Sequence, residues 1–187
     1  PRQHRNEEKV MTQSTAPLCS IVDSTTIEFV RTLPVPLETA WDYLTRRDLL
    51  KLWLADAIIE PRVGGRVDLK FEHDPCRDDA ACHSVGTVRE WNPPTRLSYT
   101  WQEELHPSPE GATYVVFELA PIEGGTRLTL THYRLDPKKK HLYGAGWHTH
   151  FDVLAARCAG TDPAVFNVLF EQLLAIYERL MATSESR

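Results

Sequence analysis

Four sets of residues sit at a spacing of two: Val67, Leu69 and Phe71; Leu97, Tyr99 and Trp101; Val115, Phe117 and Leu119; Leu128, Leu130 and His132. That spacing puts each set on one face of a strand. Joined, the faces make an aromatic surface with three polar groups on it: the Tyr99 hydroxyl, the Trp101 indole N–H and a His132 ring nitrogen. Small-molecule pockets are mostly apolar with a few placed polar groups. Trp53, Trp147 and Phe151 extend the set, so the candidate ligand-binding residues are Trp53, Phe71, Tyr99, Trp101, Phe117, His132, Trp147 and Phe151. The competing reading is a solid core, with His132 satisfied by a neighbouring hydroxyl. An enzyme that works by shaping its substrate needs one general acid or base. His132 is the first candidate for that role and Tyr99 the second.

Two other clusters have the residue types for chemistry. His73, Cys76, Cys82 and His83 offer two thiolates and two imidazoles, the donor set of tetrahedral zinc. Five residues separate the cysteines, where two to four is usual, and Asp74, Asp78 and Asp79 make a solvated insertion the simpler reading. No metal is assigned. A Cys76–Cys82 disulfide is conceivable and disfavoured in a reducing cell. His148 and Asp152 are four apart and share a helix face, with His150 nearby; with no nucleophile beside them they read as a surface pair. No phosphate-binding glycine loop, serine elbow or HExxH pattern occurs, so no cofactor and no catalytic residue is assigned.

The elements that must position these groups follow from periodicity and turn residues. Order is expected from near Thr25, with a half-buried strand ended by Pro34 and Pro36. A helix through Leu37, Ala40, Trp41 and Leu44 comes next, and a short one over Asp48–Trp53. Then come strands at Ala57–Val63 and Arg66–His73 around Gly64-Gly65, a two-residue hairpin turn. Val85–Trp91, the Leu97–Trp101 strand, Thr113–Ala120 and Arg127–Tyr133 complete the run. A helix carrying Trp147, Phe151, Leu154, Ala155 and Cys158 closes at Gly160. Asp162-Pro163 reads as the start of a last helix with a sustained apolar stripe from Phe166 to Met181. Strands in consecutive hairpins exclude a doubly wound parallel sheet. The fold class is α+β, a curved antiparallel sheet of about six to seven strands over a C-terminal helix, with an extra terminal helix.

Bulk properties remove several functions. The 187 residues suit one domain, taken as 24–183, and residues 1–23 read as a mobile tail or an expression remnant, with Met11 as one candidate for the natural start. A formal charge of −5 gives no basic footprint for nucleic acid. Lys138, Lys139 and Lys140 read as a solvated turn. No stretch approaches the roughly 20 apolar residues of a membrane span, and no secretory signal is apparent, which points to the cytoplasm and reduced thiols.

The order of motifs resembles a known superfamily. The Val35–Trp53 segment contains Ala40-Trp41. Val63-Gly64-Gly65-Arg66 follows, then Gly86-Thr87-Val88 leading to Asn92-Pro93-Pro94 and Leu97, then Tyr99-Thr100-Trp101. The run Gly125 to His132 and Gly146-Trp147 complete the series. Together they resemble the Bet v 1-like, START-related (SRPBCC) superfamily, and within it bacterial homologues of the Hsp90 ATPase activator's C-terminal domain. The resemblance implies a helix-grip fold with a cavity between sheet and long helix, and favours an open pocket over a solid core. It fixes no activity, since members carry lipids, bind polyketides or cyclise them. The expected partner is a small hydrophobic or aromatic molecule. A cyclase- or hydrolase-like enzyme, a chaperone-interaction module and a homodimer through the extra helix are the alternatives.

Overall fold

A computed structural model describes residues 14–71, 83–103 and 112–184. Eight strands form one antiparallel sheet: β1 (Ser20–Asp23), β2 (Thr26–Leu33), β3 (Asp56–Ile59), β4 (Arg66–Lys70), β5 (His83–Asn92), β6 (Arg96–Glu103), β7 (Thr113–Ile122) and β8 (Gly125–Tyr133). Their spatial order is β1-β2-β8-β7-β6-β5-β4-β3. From β3 to β8 the chain runs as a meander, and β2 closes onto β8 with Phe29 opposite Leu130. Helices α1 (Leu37–Thr45) and α2 (Arg47–Leu50) fill the crossover from β2 to β3. Helices α3 (Lys140–Ala159) and α4 (Phe166–Ser184) follow the sheet. The helix-grip, α+β expectation holds, with one strand more than anticipated.

That strand is β1, inside the stretch read as a tail. Ile21 pairs with Ile27, and Cys19 just before it is buried. The sequence hid this because a four-residue edge strand of mixed character has no clear period. The Lys138–Lys140 run also differs from a purely solvated turn. Lys140 opens α3 and is buried, and its ammonium donates to the carbonyls of Asp23 and Ser24 at 3.3 and 3.1 Å. The β1–β2 turn is thereby tied to the helix start.

Other boundaries move for local reasons. Ile59 pairs with Val67 and the Glu60 N–H bonds the Arg66 carbonyl, so the β3–β4 connection is wider than two residues. Gly64 supplies the one positive φ there, at 77°. Helix α4 begins at Phe166, which leaves Asp162 and Pro163 in the connection. Gly160 does close α3, in the left-handed region with φ 68°, and its N–H returns to Ala156 and Arg157.

Helix α3 is buried on more than one side. Trp147, Phe151 and Leu154 face the core, while His148, Thr149 and His150 are also buried. The second covering layer is α4, whose Leu169, Leu173, Tyr177 and Met181 form the buried stripe. The extra helix therefore packs along α3. Close approach requires a glycine: a Cβ at position 144 would lie 2.6 Å from the Tyr177 ring. Gly144→Ala should cost about 1–3 kcal/mol by overpacking, read as a lower urea midpoint at unchanged slope. An unaltered midpoint would show that α4 does not hold this position.

Candidate functional site

The strand period and the helical period bring all eight predicted residues to one place. Tyr99 and Trp101 come from β6, Phe117 from β7 and His132 from β8, all on the sheet face toward α3. Trp147 and Phe151, four apart on α3, meet them. Trp53 follows α2, and Phe71 follows β4. Trp101 is the hub, its ring centroid 5.2 Å from Trp147, 5.7 Å from Phe71, 5.8 Å from His132 and 6.4 Å from Tyr99. Phe117 lies 5.9 Å from both Tyr99 and Trp147. Trp147 stacks on Phe151 at 5.6 Å, and Phe151 on Trp53 at 6.0 Å. Seven of the eight are buried, and Phe71 is half-buried.

His132 lies in a line of hydrogen bonds that runs in one direction. The Trp147 indole N–H donates to His132 Nδ1 at 3.0 Å. The Thr113 hydroxyl donates to the Trp101 carbonyl at 2.8 Å, so its oxygen accepts from His132 Nε2–H, also at 2.8 Å. The acceptor at Nδ1 and donor at Nε2 fix one neutral tautomer. Burial agrees, holding the His132 pKa down at about 3. Both ring nitrogens are committed to the protein. His132 is then a structural relay, and the acid–base role sketched from sequence has no free nitrogen to use. Tyr99 is fully buried, and burial pushes its phenol upward, so it stays protonated.

His148 and Asp152 do not form the expected surface pair. His148 is fully buried, its Nδ1 3.0 Å from the Tyr177 hydroxyl and its Nε2 2.9 Å from the Ser14 hydroxyl. Asp152 stands 3.8 Å from Nε2. The Cys19 N–H donates to the same Tyr177 oxygen at 3.0 Å. Burial lowers the His148 pKa to about 4 and raises those of Asp152 and Cys19, the latter to about 11. His150 is buried too and bonds the Trp53 carbonyl through Nδ1 at 2.7 Å, while the Trp53 indole donates to the Tyr43 carbonyl at 2.9 Å. This anchors α3 to the α1–α2 segment.

Arg31 escaped sequence reasoning. It shares the inward face of β2 with Ile27, Phe29 and Leu33, and a charge on such a face was the available signal. Of the residues weighed for zinc, His73, Cys76 and Cys82 lie outside the described residues. His83 bonds Asp68 at 2.7 Å, and Arg66 reaches the same carboxylate. Among the described residues no group of three metal-type ligands occurs.

The two neutral histidines make stability depend on pH. Unfolded, each imidazole protonates at its ordinary 6.5; folded, at about 3 for His132 and about 4 for His148. The unfolded chain therefore takes up protons first. Their contribution is intact above pH 6.5 and shrinks as pH falls, by about 1.4 kcal/mol per unit for each histidine. Between pH 6.5 and 5, the slope of unfolding free energy should be shallower by one such increment in His132→Phe. Equal slopes in the two proteins would refute a neutral His132.

Comparison with known proteins places this architecture. The family described as Activator of Hsp90 ATPase homolog 1-like protein matches residues 34–159. A Bordetella parapertussis protein solved in solution by NMR is 30% identical, with a TM-score of 0.68 over 89% of this chain and 94% of that one. A Mesorhizobium loti crystal structure is 27% identical, with a TM-score of 0.61 over 73% of this chain and 98% of that one. CalU16 from Micromonospora echinospora, at 18% identity and a TM-score of 0.64 over 88% and 94% of the two chains, shares the fold. Among proteins with curated descriptions, none matches. With two thirds of its length inside the family's span, from the turn before α1 to the end of α3, the chain belongs to the Activator of Hsp90 ATPase homolog 1-like family.

Proposed function

We propose that this protein is a cytoplasmic binding domain for a small hydrophobic or aromatic molecule, which sits against the aromatic face between the sheet and α3. The observation that carries the reading is the convergence of Trp53, Phe71, Tyr99, Trp101, Phe117, Trp147 and Phe151 in one contiguous set of ring contacts, half-buried at Phe71 and buried elsewhere. Aromatic walls of this kind bind by area and by offset or edge-on ring contacts. The free thiols of Cys19 and Cys158 suit a reducing compartment.

Binding is favoured over catalysis by the state of the polar groups. An acid–base enzyme needs a titratable atom aimed at its substrate. His132 gives both nitrogens to Trp147 and Thr113. A homodimer through the apolar stripe of α4 is also less favoured, because that stripe packs on α3. The family description keeps a chaperone-binding role as the second reading.

Phe71 is the informative position, since it touches Trp101 and His150 while remaining half-buried. N-phenyl-1-naphthylamine, a neutral fluorescent probe, should bind the full chain with an emission increase. Phe71→Ala should weaken that binding about tenfold, as expected for losing a ring contact worth roughly 1 kcal/mol and some buried area. Its unfolding midpoint should fall as well, because the contacts with Trp101 and His150 go with the ring, so affinities are compared where both proteins are folded. Absence of probe binding, with a purified protein that carries no small molecule by native mass spectrometry, would defeat the proposal.

A further inference from the structure

We infer that Arg31 is a carboxylate-binding residue, and that the small molecule taken by this domain carries a carboxylate on its aromatic or apolar body. The inference deepens the binding reading above and rests on it.

Arg31 is more than nine-tenths buried, at 6% exposure, on the inward face of β2. Its guanidinium carbon lies 5.2 Å from the Phe29 ring centroid and 5.8 Å from that of Phe151. One nitrogen, Nη1, donates to the adjacent Val30 carbonyl at 3.0 Å. The other two, Nε and Nη2, are buried and have no hydrogen-bond partner. A buried guanidinium is costly unless its donors are satisfied.

The unsatisfied edge has a specific geometry. Nε–H and Nη2–H point the same way and form a planar fork matched to two carboxylate oxygens. This protein uses that edge repeatedly. Arg47 grips Asp56 through Nε and Nη2 at 2.6 and 2.8 Å, and Arg46 grips Asp48 at 3.2 and 2.8 Å. In Arg31 the same fork is buried and meets no acid. Burial lowers the Arg31 pKa, and Asp152 opposes this from a distance without forming an ion pair with it.

Position connects the fork to the aromatic face. Phe151, which lies beside Arg31, also stacks on Trp147 and Trp53. A ring lying against these side chains would place a carboxylate substituent within reach of the fork. β1 pairs with β2 only as far as Glu28, and among the described residues no strand covers the edge from Phe29 to Leu33.

The test compares 2-naphthoate with its neutral counterpart 2-naphthamide, using calorimetry on the full chain. The carboxylate should bind about tenfold to a hundredfold tighter, the scale of charge-assisted hydrogen bonds. Arg31→Gln should abolish that preference while keeping the affinity for 2-naphthamide. In wild type, the Arg31 Nε–H resonance should shift on adding 2-naphthoate and stay in place with 2-naphthamide, which decides the matter even where the variant folds poorly. Equal affinities for the two probes with an unmoved Nε–H would overturn the inference and leave the aromatic site standing. Tighter binding of 2-naphthyl phosphate than 2-naphthoate would overturn the carboxylate assignment. Failure of both naphthyl probes to bind would sink this inference together with the reading beneath it.

Discussion

One hydrogen-bonded relay ties the long helix to the sheet, and the aromatic interior is arranged around it. The Trp147 indole on α3 donates to His132 on β8, His132 donates to Thr113 on β7, and Thr113 donates to the Trp101 carbonyl on β6. Every buried donor and acceptor in that line has its partner, which is the condition for keeping polar groups in a dry core. The relay also has direction, so it fixes the imidazole tautomer and the rotation of the Trp147 indole. Apolar packing alone would set the distance between helix and sheet without choosing these orientations.

The helix that carries the relay is held from its other sides. At its start, Lys140 is bonded to the β1–β2 turn. In its middle, His148 meets Tyr177 of α4 and Ser14 of the N-terminal segment, and His150 meets the Trp53 carbonyl. These are polar ties made by buried groups, so α3 is positioned by direction as well as by area. The cluster on this frame is built from three indoles, a phenol and three phenyl rings. Within it, both ring nitrogens of His132 are committed to Trp147 and Thr113.

Much of this was legible in the chain before folding was considered. The period-two sets ending in Phe71, Trp101, Leu119 and His132 fixed which faces point inward, and Trp147 with Phe151 fixed the facing side of the helix. The relay was legible only as the competing reading, a His132 satisfied by a neighbouring hydroxyl, because a histidine on an apolar face looks the same whether it serves a ligand or a neighbour; Thr113, on the adjacent strand β7, decides which. His148 misled for a related reason. Its i,i+4 partner Asp152 suggested a surface pair, whereas α4 and the segment before β1 cover it, and nothing local to α3 announces that cover. β1 was missed for lack of a period, and Arg31 because a single charge within an apolar face was passed over in favour of the hydrophobic pattern around it.

The relay itself is the most direct thing to measure. Two-bond nitrogen–proton NMR spectra of the His132 ring should show a neutral imidazole with its proton on Nε2, unchanged between pH 8 and pH 5 because its pKa lies near 3. A ring that titrates close to 6.5, or one that carries its proton on Nδ1, would mean that the indole of Trp147 is not its donor. The account of how helix and sheet present the aromatic face would then be wrong.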